Sequence, residues 1–155
     1  MAYIDDTKAI VDLLTNGWDD DNTDSVTPEI SKIFKQPKEL NFGSHRDYVL
    51  VFASTINTSE IGIGNNTSED TFVTITIDVR SKNRTIDSVS QDNDSHFNKV
   101  IYEVDRILKS NKVNFDSNHN ELRSNQQWQD FNDRMRGIFR KVKTVELVDY
   151  CRDYS

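Results

Sequence analysis

Apolar and polar positions alternate most regularly in the stretch TFVTITIDVRS (71–81). Val73, Ile75, Ile77 and Val79 fall on one side, and Phe72, Thr74, Thr76, Asp78 and Arg80 on the other. Successive side chains of a pleated strand point to opposite faces, so this pattern predicts a strand with one aliphatic, buried face. Threonine on the second face favours extended backbone and tolerates water or a neighbouring subunit, the pattern of an antiparallel sheet. After a polar crossing the period changes. In HFNKVIYEVDRILKSN (96–111), Phe97, Val100, Ile101, Val104, Ile107 and Leu108 recur at spacings of three and four, which writes one apolar stripe along a helix. Asp92, Asp94 or Ser95 can cap its start, and Lys109 and Lys112 suit the negative end of its dipole. The pair predicts a helix packed on a sheet.

Weaker segments surround this pair. Ile4, Ala9, Ile10, Val11, Leu13 and Leu14 sketch a short amphipathic helix, with Asp5 and Asp6 favourable at its start and Gly17 placed to end it. WDDDNTDSVTP is too polar and turn-rich for an element, and Pro28 and Pro37 bracket a short extended piece, EISKIFKQ. HRDYVLVFA (45–53) predicts a strand. Residues 54–70 are small and polar, with two glycines and no period. They read as a long connection between strands, mobile in a free subunit and ordered against a neighbour. Residues 113–127 read as irregular, and Trp128 and Phe131 as part of a short helical turn. A last strand follows Gly137, IFRKVKTVELVDYC. Its alternate positions Phe139, Lys141, Lys143, Val145 and Leu147 change character halfway, which predicts a bulge or a strand that leaves one surface for another. The sum is a single domain spanning 1–155, of the α+β class: a mainly antiparallel sheet with an N-terminal helix and one long central helix packed on one face.

Charge narrows the function classes. A net charge of −7 argues against a general nucleic-acid binder, which needs a basic face to displace counterions from phosphates. The charge is uneven: residues 1–40 hold nine acidic side chains against four basic, whereas Arg134, Arg136, Arg140, Lys141 and Lys143 crowd into ten residues without an acid. Such asymmetry suits complementary self-association as well as solubility. Cys151 is the one cysteine, so no disulfide forms within the chain and a reducing compartment is expected. No apolar run approaches the ~20 residues that cross a bilayer, and no membrane association is expected.

Candidate chemistry is sparse. Asp19, Asp20, Asp21 and Asp24 invite a calcium reading, but counting from Asp19 the positions that an EF-hand reserves for Gly and Glu hold Asp24 and Ile30. The cluster reads as a solvated loop. His45, His96 and His119 are far apart, none pairs with another or with Cys151 at a zinc-ligand spacing, and each reads as a surface or capping residue. No Gly-x-Ser-x-Gly turn is present, and Gly62-Ile63-Gly64 lacks the continuation of a phosphate loop. The expectation is a protein that is not an enzyme and takes no metal or cofactor.

The helix IDDTKAIVDLL, the strand pair DYVLVFA and FVTITIDVRSK, the helix FNKVIYEVDRILKSNKV and the closing RMRGIFRKVKTVELVDY, in that order, resemble the tail terminator (tail-completion) proteins of long-tailed bacterial and archaeal viruses. The resemblance implies a small α+β subunit without enzymatic activity or cofactor. It implies a homo-hexameric ring that caps the tail tube and joins it to the head, with the tail tube protein and a head-completion or connector protein as partners. The place would be the neck of the virion, assembled in the host cytoplasm, and the ring lumen would pass DNA without sequence-specific binding. In such a ring, Arg134, Arg136, Arg140, Lys141 and Lys143 of one subunit are expected to contact an acidic surface of the next, with Asp20 and Asp21 as candidates. Three other readings remain: another head-tail connector or completion protein, a small nucleic-acid-binding module using 134–143 with Trp128 and Phe131 as stacking aromatics, or a small enzyme with carboxylates converging in a pocket.

Overall fold

The computed structural model describes residues 4–37, 40, 42–43, 45–60, 68–82, 91–113, 115–124, 126–133 and 136–153. In chain order these form α1 (Asp6–Gly17), a 3-10 turn (Asp20–Thr23), β1 (Glu29–Lys32), β2 (Asp47–Glu60), β3 (Ser68–Lys82), α2 (Gln91–Ser110), β4 (Glu121–Arg123), β5 (Gln129–Asp130) and β6 (Ile138–Asp153). Asp5 caps α1 by accepting the Lys8 N–H at 3.0 Å. Six strands make one sheet in the order β1-β2-β3-β6-β4, with β5 also paired to β6.

The core is the aliphatic side of the central strands. Val49 and Val51 of β2, Val73, Ile75, Ile77 and Val79 of β3, and Val145 and Leu147 of β6 are buried against Phe97, Val100, Val104, Ile107 and Leu108 of α2 and Ile10 and Leu14 of α1. The α2 stripe therefore meets the face that alternation in β3 marked for burial, because each element has one side that water disfavours. Gly17 lets the two helices close. A Cβ there would sit 3.2 Å from Ile107 Cγ2, tighter than ordinary contact.

Several expectations need correction. The sheet is mixed, antiparallel as expected in most of its pairings but not at one edge: β1 lies parallel to β2, Glu29 opposite Tyr48 and Lys32 opposite Val51, while the other pairings are antiparallel. A parallel neighbour needs a crossover of about a dozen residues or more, and 33–46 supplies it. The presumed connection 54–70 is largely strand. β2 and β3 continue outwards as a hairpin in register to Glu60 opposite Glu69, past an irregularity between Ala53 and Thr55; only 61–67 lie outside the described residues. Polar Ser, Thr and Asn masked the strand because neither face there needs an apolar run. Helix α2 begins at Gln91, ahead of its apolar stripe. The irregular 113–127 contains β4, and the predicted helical turn is extended chain at β5.

The change of character along β6 is neither a bulge nor a departure. Its pairing to β3 runs unbroken from Ile138 opposite Lys82 to Asp149 opposite Thr71. Lys143 stays on the core side because its ammonium reaches Asp105 of α2 at 2.9 Å and lies 5.5 Å from the centre of the Trp128 ring. The register slips only near the far end, where Glu69 faces Arg152.

The aliphatic layer fixes a first expectation. Replacing Ile77, fully buried in β3, by Asp places a carboxylate under α2 whose cross-strand neighbour, Lys143, is already engaged by Asp105. That costs several kcal/mol against a typical total of about 5–15, so Ile77→Asp should lose its cooperative melt by circular dichroism. A variant melting within a few degrees of the parent contradicts this packing.

Candidate functional site

Away from the aliphatic face, this chain holds its charged side chains in local networks, and these decide which are free to meet another molecule. The centre of the polar face is Asp78 of β3, fully buried with Arg80 beside it. Arg80 donates to Asp78 at 3.0 and 3.3 Å, Arg140 of β6 at 3.0 and 3.1 Å, and Gln36 from the crossover at 2.8 Å. Arg80 also donates to the Pro37 carbonyl at 2.7 Å. Burial alone would raise the Asp78 carboxyl, but the donors from Arg80, Arg140 and Gln36 outweigh it and hold the group below the ordinary carboxylate range. Segment 33–37 is thereby tied across the sheet.

The predicted basic segment is largely used up by such pairs. Arg140 serves Asp78 and lies over Phe131, its guanidinium carbon 5.2 Å from the ring centre. Lys143 is buried on Asp105, to which Trp128 Nε1 also donates at 3.0 Å. Lys141 faces Asp130 at 3.5 Å and Arg136 faces Asp133 at 3.6 Å. Arg134 lies outside the described residues. Of the four described cations only Arg136 keeps more than half of its side chain in solvent, at 56%, against 27% for Lys141. The stacking aromatics of a nucleic-acid groove are engaged in the same way, Trp128 with Asp105 and Phe131 with Arg140.

The aspartate cluster is a structured turn, with Asp19, Asp21 and Asp24 exposed to solvent. Asp19 caps it by accepting the Asp21 N–H at 3.0 Å, and Asp20 accepts the Thr27 hydroxyl at 2.6 Å. Glu103, fully buried on α2, receives the Asp19 N–H at 2.8 Å and the Asn22 amide at 3.2 Å. Glu103 also pairs with Arg106. Asp24 takes left-handed backbone at φ 55 and accepts from Lys99 at 2.6 Å. Asp21 projects into solvent. Among the described residues no ion pair joins Asp20 or Asp21 to the basic segment, and no group of three His, Cys, Asp or Glu side chains is placed to hold a metal ion.

Two histidines correct the expectation of surface residues. His96 is buried with Nε2 2.6 Å from Asp47 and Nδ1 3.0 Å from Asp24. Asp47 also accepts the Ser81 hydroxyl at 2.6 Å. This Ser–Asp–His line does not form a nucleophilic triad, because the serine meets the carboxylate rather than the imidazole. His119 is buried with Nε2 2.6 Å from Asp6 and Nδ1 2.9 Å from Asp116, and it stacks on Phe115 with 5.5 Å between ring centres. Burial opposes its charge, yet the hydrogen bonds to Asp6 and Asp116 prevail and hold the imidazole above its ordinary range. Only His45 is substantially exposed, 3.3 Å from Glu29. The sequence carried no signal for these clamps, since Asp6 and His119 are 113 residues apart.

A depression of about 570 Å³ lies over the outer side of α2 near Lys99, Tyr102 and Arg106. Its cations are already paired, Lys99 with Asp24 and Arg106 with Glu103. More open to partners is the outer side of β2. β1 covers it only at 48–51, extended by one bond from the Ile33 N–H to the Val51 carbonyl at 2.9 Å. Along 53–60 no strand accompanies it among the described residues. Phe34 and Ile56 stand beside this edge, 92% and 60% exposed, around a notch of about 170 Å³ that Ile33 and Ala53 also line. No described helix is long and apolar enough to cross a membrane.

The networks separate two arginines. Arg140→Glu puts a second carboxylate on buried Asp78 and should lower the midpoint of urea unfolding strongly, whereas Arg136→Glu should shift it by less than about 0.5 kcal/mol. Equal effects would contradict the assignment of Arg140 to the fold. For His119, a folded-state pKa above the unfolded one means stability that is full below about pH 6.5 and is lost as pH rises through the folded value. The stability gap between the parent and His119→Gln should therefore narrow steadily towards alkaline pH. A gap that stays constant from pH 6 to 9 counts against the clamp.

No family model matches the chain, and no curated protein sequence does. Among solved structures, the chain is similar to the sheath/tube terminator of an extracellular contractile injection system, PVC, in its extended state. That likeness covers 99% of this chain at 14% identity with a TM-score of 0.37, and this chain spans 58% of the length of that one.

Proposed function

We propose that this protein is a non-enzymatic structural subunit of a virus-like tail, forming a ring of about six copies that caps the tail tube and joins it to the head. The observation that carries this reading is that no described strand covers the outer side of β2 along 53–60, with Phe34 and Ile56 exposed beside it. A polar chain that leaves a strand edge and large apolar side chains in solvent has a surface suited to association. The order of elements adds support through its resemblance to tail terminators. So does the use of many described acids, both buried histidines and several cations in bonds within the chain. Its partners are further copies of itself, the tail tube protein and a head-completion or connector protein, and its place is the neck of the particle.

Within that ring, Arg136 and Lys141, the most exposed described cations of the basic segment and each already beside an acid of its own chain, would share their charge with a neighbour's acids, with the exposed Asp21 and its companion Asp20 as the counterpart. Such contacts are screened over about 8 Å at physiological ionic strength. Light scattering at low salt should give a mass near six times 18.0 kDa, and the mass should fall as salt is raised. Reversing Arg136 and Lys141 to Glu should make assembly fail at lower salt, and reversing Asp20 and Asp21 to Lys in the same chain should partly restore it. A protein that stays a single chain at every concentration and salt overturns the ring reading.

A further inference from the structure

Asn16 and Gly17 form the one Asn-Gly pair in the chain. Such a pair is chemically reactive, because a glycine without a Cβ lets its own backbone nitrogen approach the side-chain carbonyl carbon of the asparagine before it. Packing demands the glycine here, since a Cβ at 17 would lie 3.2 Å from Ile107 of α2. Asn16 is exposed, and among the described residues its side-chain amide makes no hydrogen bond. The backbone of the pair, by contrast, is held at two points. The Gly17 N–H closes the last turn of α1 on the carbonyl of Leu13, four residues back. The Gly17 carbonyl accepts from Arg106 of α2 at 2.7 Å. While both bonds stand, the Gly17 nitrogen keeps its proton and faces along the helix rather than towards the Asn16 side chain.

We propose that Asn16-Gly17 is a self-modification site whose reaction is gated by the docking of the last turn of α1 on α2. When that turn opens, the Gly17 nitrogen gives its proton to water or hydroxide and bonds to Asn16 Cγ. The bond from Cγ to the side-chain nitrogen breaks, ammonia leaves with a proton taken from solvent, and a five-membered imide closes. Water then adds to one of the two imide carbonyls. Addition at the backbone carbonyl leaves isoaspartate, and addition at Cγ leaves aspartate; water is the sole co-reactant and nothing is oxidised or reduced. Either product adds a carboxylate to a helix whose last turn carries no basic residue, at the end where the macrodipole is already negative. The new charge also enters the groove that Asp12 and Asp116 line. Isoaspartate further lengthens the backbone by one carbon, which moves Gly17 off its seat beside Ile107. Conversion therefore weakens the same contact that restrained it. The inference does not depend on the ring reading.

Peptide mapping by mass spectrometry, on the full chain held in mildly alkaline buffer, reads the reaction. Acid at residue 16 should form roughly ten-fold or more slowly in the folded parent than in the same chain in urea, since only molecules with an open helix end react. That comparison needs no substitution. Arg106→Lys keeps a cation for Glu103 but loses the fork that also reaches Gly17. It should convert several-fold faster than the folded parent, with a cooperative circular-dichroism melt showing that the domain is intact. Asn16→Gln, whose ring would have six members, should stay unconverted at that position. The converted parent, separated by ion exchange, should melt a few degrees below the unconverted chain. Equal rates in the folded and the urea-unfolded parent overturn the gate, as does a folded Arg106→Lys chain that reacts no faster than the parent. No conversion at residue 16 in urea overturns the site itself. A converted chain that melts like the parent overturns the feedback on helix docking.

Discussion

The structure depends on burying one aliphatic sheet face under one helical stripe. Val73, Ile75, Ile77 and Val79 of β3 are enclosed, and β2 and β6 flank them with valines and leucine at matching heights. Each fully buried aliphatic side chain is worth about 1.5–3 kcal/mol relative to exposure. The layer also fixes register, since a slip of one residue would turn Thr74, Thr76 and Asp78 towards the helices. Every other feature, the paired charges included, is built on strands held in that register.

Charges near the core are tolerated because each meets donors or acceptors. Asp78 receives three side chains, Glu103 anchors the aspartate turn to α2, and Lys143 reaches Asp105 from within the core face. A buried charge stripped of its partner is strongly destabilising, whereas the intact pair adds little beyond offsetting its own desolvation. These contacts therefore act mainly as positioning devices. They pin the crossover, the turn and the loop around His119 to particular strands and helices. The same economy explains why a basic run conspicuous in the sequence offers so little free charge on the surface.

Strand length sets what remains for partners. At about 3.4 Å per residue the 15 residues of β3 reach roughly 50 Å, while the 20 residues of α2 cover about 30 Å at 1.5 Å each. The helices cannot cover the whole sheet, and its outer part ends in edges rather than in a cavity. A subunit built this way presents backbone groups and a few apolar side chains at the sides of one continuous surface.

The sequence by itself determined the elements that bury a single face. Alternation in 71–81 and the three-and-four spacing from Phe97 to Leu108 marked β3 and the apolar stripe of α2, because burial on one side imposes a period that local order preserves. It also placed α1, β1 and the last strand. Only the tertiary structure decided the outer hairpin, whose strands are specified by pairing rather than by apolar period, and the parallel placement of β1, which follows from where the 33–46 crossover lands. It decided the fate of the charges as well. Arg136 and Arg140 look alike in sequence, yet one faces solvent and the other holds Asp78, a residue 62 positions away. His119 and Asp6 are brought together across 113 residues. Such pairings depend on which strands become neighbours, and no local pattern encodes that.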